Sequence, residues 1–451
     1  MTDQTTRVDR EPPASRARPP GAGGRAWLAI ALGVAAVGWG ANQFAPLLLM
    51  YRSELGVSTA TVQATYALYA IGLIPGLLLG GPLSDRYGRR RMLAPALGVS
   101  ALASGLLMLA NSGLAWLFVG RLVAGVASGA AFSAGTAWIK ELTVHGSGQD
   151  AHVGARRATI GMTTGFAVGP LVAGLLAQWA PHPIVTSYVP HVLLALVALP
   201  LVLRAPETRQ AEADTVLWAR PRLSRESGRR FRLVVVPLAP WVFGASSIAL
   251  AYLPGLVREE LGDDALLFSA VVTALTMVAG ILVQPLARRV SRPDKPYLIA
   301  TALGIVVVGL VLGAIAAADA RWWLVAAAAL VLGAGYGCCL VYGLMEVQRM
   351  AGPENLGRLT AVFQAIAYLG FGAPYLLAVA EHALSVSALL LLTAVLAVLT
   401  LAWTTYRVAR EPARAPESQG SAPPAPEAVR AGADVSRSAH GARGPADRGR
   451  G

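Results

Sequence analysis

Gly81-Pro82-Leu83-Ser84-Asp85-Arg86-Tyr87-Gly88-Arg89-Arg90-Arg91 joins two runs, 58–82 and 92–111, that outside this junction contain no charged residue. Crossing a hydrocarbon core of about 30 Å takes roughly 20 apolar residues as helix. Each run has that length, so the junction reads as a sharp return of the chain at one membrane face. Gly81 and Gly88 allow two helices to approach and turn in few residues, and Asp85 offers an acceptor to a neighbouring arginine or to a helix N-terminus.

The rest of the chain agrees with a lipid solvent. Hydrophobic residues make up 55% of 451, charged residues only 14%, and the mean hydropathy is +0.54, too little charge to cover a soluble globule of this size. The 48 Gly and 29 Pro fit closely packed and locally broken membrane helices. Cys338 and Cys339 are adjacent within an apolar run and read as small packing residues, with no disulfide or metal role. Lysine occurs only at Lys140 and Lys295, and with abundant Ala, Gly and Pro this suggests a GC-rich bacterial genome.

Comparable apolar runs give twelve predicted spans: 26–50, 58–82, 92–111, 114–139, 157–180, 186–204, 232–255, 265–287, 297–318, 322–345, 357–380 and 385–406. The fold class is therefore all-α and membrane-spanning. Residues 1–25 and 408–451 are low-complexity polar tails expected to be disordered, and 205–231 is an Arg-rich central loop between six-helix bundles at 26–204 and 232–407. With the N-terminus inside, 34 of the 38 Lys and Arg fall in cytoplasmic segments, three (Arg52, Arg258, Arg321) fall outside, and Arg121 lies within a span. That bias predicts a multi-pass protein of the bacterial inner membrane with both termini cytoplasmic. It also accounts for the net charge of +13 without a nucleic-acid partner. The expected partners are lipid and a small-molecule substrate, and the expected state is a monomer.

The two bundles echo each other. Gly81 to Arg86 matches Gln284 to Arg289, Gly125 and Gly129 match Gly333 and Gly337, and Gly165 with Pro170 resembles Gly370 with Pro374. Parallel repeats of six helices with a midplane site between them are one transporter architecture.

The Gly81–Arg91 junction resembles the signature loop G-x-L-x-D-R-x-G-R-[RK] of the major facilitator superfamily, and it follows the second of twelve spans as that resemblance requires. The resemblance implies two pseudo-symmetric bundles, alternating access, and a cytoplasmic latch made of Gly81, Asp85, Arg86, Gly88, Arg89, Arg90 and Glu141, with Asp85 near Leu356 to Arg358. The second copy carries Arg288 where the loop has Asp, so the latch is expected in the N-terminal half alone.

Arg121 sits about 10 Å along span 4 from its outer end. A guanidinium there either snorkels to the interface or faces protein and water. Arg121 to Gly129 resembles the family's fourth-helix motif, which implies a role in proton coupling. In span 5, Gly165, Gly169, Pro170 and Gly174 are similar to G-x-x-x-G-P-x-x-G-G of the drug:proton antiporter branches, with Ala173 replacing one glycine. That likeness favours export driven by the proton gradient.

Asn42, Gln43, Trp138, Trp241, Ser246, Tyr336, Gln364 and Tyr368 are the candidates to line an apolar, aromatic substrate cavity. No acidic residue lies deep in a span, and His191 is the only histidine well inside one. Nothing resembles a Walker loop, metal cluster or nucleophile elbow, so neither an ATP-driven pump nor an enzyme is expected, and no cofactor or metal. An uptake symporter for a small organic solute and a non-transporting permease-like sensor are the alternatives.

Overall fold

A computed structural model describes residues 25–147, 150–209, 223–292, 295–352 and 355–410. Most of both expected tails, at 1–24 and 411–451, and nearly half of the central loop, at 210–222, lie outside the described residues. Among the described residues there are only helices and their connections. Ten of the helices cross once: α1 (Ala26–Glu54), α2 (Thr59–Tyr87), α3 (Arg89–Met108), α4 (Leu114–Val144), α5 (Val153–Trp179), α6 (Pro183–Arg204), α9 (Tyr297–Asp319), α10 (Trp322–Met350), α11 (Leu356–Ala380) and α12 (Val386–Arg410). The remaining apolar stretch, Arg225–Val290, runs for 66 residues, about 100 Å at 1.5 Å per residue and three times the hydrocarbon thickness. It folds back at Gly262, whose φ of 51° suits glycine. The result is α7 (residues 225–257) and α8 (residues 265–290), and twelve crossings in all.

Helix bounds depart from the sequence expectation mainly at the ends. α7 begins at Arg225, inside the segment expected to be loop, and α12 continues to Arg410, past the expected start of the tail. Charged residues there are compatible with helix because they lie at its ends, beyond the apolar stretch that spans the hydrocarbon. Breaks within helices follow proline. α1 is interrupted at Gln43, and Pro46 in its second segment offers no N–H to Asn42. α7 contains Pro240 and two wide π turns, Phe231–Val235 and Ile248–Tyr252. α11 tightens at Leu369–Gly372, just before Pro374.

The same helix neighbours occur twice. α1 lies against α5 as α7 lies against α11, α2 against α4 as α8 against α10, and α3 against α6 as α9 against α12. The echoed glycines explain part of this. A Cβ on Gly125 or Gly129 would run into the α2 backbone at Tyr69 and Leu73, and one on Gly333 or Gly337 into the α8 backbone at Thr276 and Gly280. Such backbone-to-backbone seams are how helices associate where lipid removes the hydrophobic drive. The halves meet through α2 on α11 and α5 on α8. Outward-facing leucines are exposed along α6 (Leu193, Leu196) and α12 (Leu392, Leu396, Leu399), a surface that only an apolar solvent covers at no cost.

Candidate functional site

The end of the bundle bearing Gly81–Arg91 carries most of the arginines and is termed the basic end; the other, with Glu54, Glu259, Glu260, Asp263, Asp264 and Glu381, is the acidic end. At the basic end Gly88 (φ 101°) is the whole joint between α2 and α3. The buried Arg89 guanidinium lies 2.7 Å from Asp85 Oδ1 and 2.7 Å from Glu141 Oε1, and also donates to Ser84 Oγ. Thr208 Oγ1 donates to the other oxygen of Glu141. Glu207 caps α3: its carboxylate accepts the backbone N–H of Arg89 at 3.0 Å and of Arg90 at 2.9 Å. This places an anion on orphan donors at the positive end of the helix. A Cβ on Gly88 would sit 2.9 Å from Glu207 Oε2, a second reason for glycine there.

The network thus joins α2, α3, α4 and the segment after α6, all in the N-terminal half. Asp85 was expected near the first turn of α11; its described bond is with Arg89 instead. Gly81, expected to share in the tight turn and the close approach of helices, lies within continuous helix with open space around its Cβ position, so the turn falls at Gly88 alone. Arg86 stacks over Tyr87 at 5.5 Å, and Arg90 Nη1 donates to the Leu203 carbonyl at 2.9 Å. Glu207 and Thr208 escaped sequence reasoning because they sit in a stretch read as loop. The C-terminal half has its own buried ion pair, Arg230 Nε to Glu346 Oε2 at 2.7 Å, with Arg349 on the other oxygen at 2.8 Å. Glu346 lies near the basic end of α10 as Glu141 lies near that of α4, but its partner comes from the start of α7.

Arg121 is fully buried, which removes the snorkelling geometry. Among the described residues, none of its three guanidinium nitrogens reaches a hydrogen-bond acceptor. Its carbon lies 4.3 Å from the Phe44 ring centre, 4.4 Å from that of Tyr69 and 5.9 Å from that of Tyr66, so the charge rests on aromatic faces.

Those rings continue into a cluster that crosses between the halves. Tyr66 of α2 stacks on Phe371 of α11 at 5.0 Å with 16° between planes, and Phe243 of α7 stacks on Tyr368 at 4.2 Å with 11°. Beside them lies a central cavity of about 30 Å³ lined by Asn42, Tyr69, Phe166, Ser246, Met277 and Tyr336 among others. It is far below the several hundred Å³ that a drug-sized ligand fills, so ligand entry requires the aromatic cluster to part. Gln63 Nε2 donates to the Ala251 carbonyl at 2.6 Å, and both residues line a vestibule of about 750 Å³ at the acidic end. Arg52, Tyr252, Arg258, Glu259 and Glu381 line that vestibule.

Of the eight cavity candidates, Asn42, Ser246, Tyr336 and Tyr368 line the central cavity. Trp138 is buried at the basic end with its N–H on the Pro206 carbonyl, and Trp241 donates to Thr400 of α12. Gln364 is half-buried and outside the lining. Gln43 belongs to a buried chain: Trp39 Nε1 donates to its oxygen at 3.0 Å, its amide donates to Ser104 at 3.1 Å, and Ser104 bonds His191 Nδ1 at 2.8 Å. Of the residues missed, Tyr66, Tyr69 and Phe371 share a signal with Tyr368, aromatics three apart, one helical turn, at 66 and 69 and at 368 and 371; Phe243 carries no such spacing.

Pro170 lies inside α5, and the α5 glycines face two ways. Cβ atoms at Gly165 and Gly169 would strike the α1 backbone at Ala35 and Trp39, whereas one at Gly174 would strike Ala270 of α8, across the interface between halves.

Comparison with known proteins agrees with this architecture. A chloramphenicol resistance protein of Pseudomonas aeruginosa is 23% identical over 61% of this chain and 64% of its own length. A tetracenomycin C resistance and export protein of Streptomyces glaucescens is 26% identical over 61% of this chain and 52% of its own. The chain thus spans less than two thirds of the length of either relative. Among solved structures, a D-xylose-proton symporter superposes with a TM-score of 0.62 at 18% identity, covering 82% of this chain and 96% of that one. The family model of the Major Facilitator Superfamily matches residues 28–374. With twelve crossings, a repeated half and a match over most of its length, the chain belongs to the Major Facilitator Superfamily.

Proposed function

We propose that this transporter is a secondary active exporter. It moves small hydrophobic or amphipathic compounds across the bacterial inner membrane by alternating access, in exchange for protons, with both termini cytoplasmic. The observation that carries the reading is the aromatic cluster around the central cavity, because Tyr66, Tyr69, Phe243, Tyr368 and Phe371 come from both halves and meet at their interface. A site shared by two pseudo-symmetric halves changes its access when the halves rock. The lining offers rings, Met277 and a few neutral polar groups, which suits an apolar aromatic cargo. Export draws support from the two resistance proteins, one named for resistance to chloramphenicol and the other for resistance to and export of tetracenomycin C.

The second reading, proton-coupled uptake of a small polar solute, draws on the likeness to the D-xylose-proton symporter. At that identity the likeness speaks to fold, and the cavity's polar groups are limited to neutral amide and hydroxyl groups. Measuring retention of a panel of aromatic compounds in cells with and without the protein, each with and without a protonophore, tests the proposal. Lower retention that depends on the protein and is abolished by the protonophore is expected. Equal retention across the panel refutes export.

A further inference from the structure

We infer that Arg121 sets the charge selectivity of the central cavity, admitting neutral and anionic aromatic compounds and excluding lipophilic cations; this rests on the transport reading above. Arg121 is a buried cation that no described carboxylate pairs with, and its three nitrogens lack acceptors. Such a charge is costly to keep in a membrane protein unless something offsets it. Aromatic faces at 4.3 Å and 4.4 Å offset part of the cost.

The same geometry brings the charge within one ring of the cavity. Tyr69, whose ring lies 4.4 Å from the guanidinium carbon, is itself a wall of the central cavity. Adding the contact distance from that ring to a bound molecule places the charge about 8 Å from a ligand. With an effective dielectric of about 20, Coulomb's law then gives roughly thirty-fold discrimination between a neutral ligand and a singly charged one of the same shape. The factor favours anions and opposes cations. No carboxylate lines the cavity to reverse the sign; the lining's non-aromatic polar side chains are Asn42 and Ser246. The acidic side chains Glu259, Asp263 and Glu381 line the vestibule at the acidic end, not this cavity. The ligand class is therefore a planar aromatic compound that is neutral or bears a carboxylate or phenolate.

Three isosteric probes test this: 2-naphthoate, 2-naphthamide and the 2-naphthamidinium cation, measured by equilibrium dialysis against the full-length protein in nanodiscs. The expected dissociation constants place the cation roughly thirty-fold above the amide, with the carboxylate at or below it. Arg121→Lys keeps the order, and Arg121→Gln narrows the gap between amide and cation to within about threefold. Ser246→Asp, which leaves Arg121 in place and puts an anion in the wall, raises affinity for the cation and lowers it for the carboxylate. Equal binding of cation and amide by the wild type overturns the inference, as does failure of all three probes to bind. Loading the same probes into vesicles separates the two claims. Charge-ordered binding without transport of any probe refutes the exporter reading alone, whereas transport that favours the cation refutes the charge selectivity alone.

Discussion

Replacing Glu207 with alanine removes the clamp on the first turn of α3. The carboxylate holds the N–H groups of Arg89 and Arg90 at 3.0 and 2.9 Å, and those of Thr208 and Arg209 at 3.1 and 3.2 Å. Loss of a capping acceptor costs about 1 kcal/mol, and loss of a negative charge at a helix N-terminus a further 0.3–1 kcal/mol or so. At the upper end of that range, a combined cost of about 2 kcal/mol raises the population in which the 205–209 segment has left the bundle roughly thirty-fold. Arg209 lies next to the clamp and provides the readout, because proteolysis tracks the open population when opening is fast relative to cleavage. Tryptic cleavage after Arg209 in the solubilised protein is expected to accelerate roughly thirty-fold in Glu207→Ala and less in Glu207→Gln, which still accepts hydrogen bonds. Glu226→Ala, which removes an exposed carboxylate from the start of α7, serves as the control and is expected to change nothing. Equal cleavage in Glu207→Ala and wild type would refute the capping argument.

Three further substitutions follow from the geometry. Asp85→Asn removes one of the two anions on Arg89; Asp85 is 36% exposed, so the stability cost is below about 1 kcal/mol, while efflux is expected to fall severely at normal expression. Unchanged efflux by that variant counts against a latch role. Gly169→Leu forces a side chain into the α1 backbone, where a Cβ alone would sit 2.9 Å from Trp39 Cα, and cells expressing it are expected to retain substrate. Wild-type efflux from Gly169→Leu would show that α1 and α5 can separate at no functional cost. Glu346→Gln leaves the buried Arg230 without its carboxylate, at a cost of about 3 kcal/mol, so the thermal midpoint of the solubilised protein should drop by several degrees. An unaltered midpoint means the pair contributes nothing to the fold.

Helix number and pairing were legible in the residues because both rest on patterns that lipid enforces: long apolar runs, and glycines such as Gly125, Gly129, Gly333 and Gly337 where backbones touch. The loop network was half legible. Asp85, Arg89 and Glu141 carry charge that must find partners, and they find each other. Glu207 was hidden because a carboxylate in a polar connection has no periodicity to mark it, and its role appears only when the chain folds back onto α3. In the cavity, polar residues were the readable candidates, yet Gln43, Trp138 and Trp241 spend their hydrogen bonds within their own halves. The rings that do meet, Tyr66, Tyr69, Phe243 and Phe371, resemble any other apolar position of a membrane helix until tertiary packing brings α2, α7 and α11 together.

The central claim is outward transport against inward protons, and inside-out membrane vesicles test it most directly. With an imposed gradient, acid inside, vesicles containing the protein are expected to accumulate a neutral or anionic aromatic compound above its equilibrium level, and collapse of the gradient should release it. Contradiction would be the opposite pattern: no gradient-driven accumulation of any aromatic compound in inside-out vesicles, while right-side-out vesicles concentrate a small polar solute under an inward proton gradient.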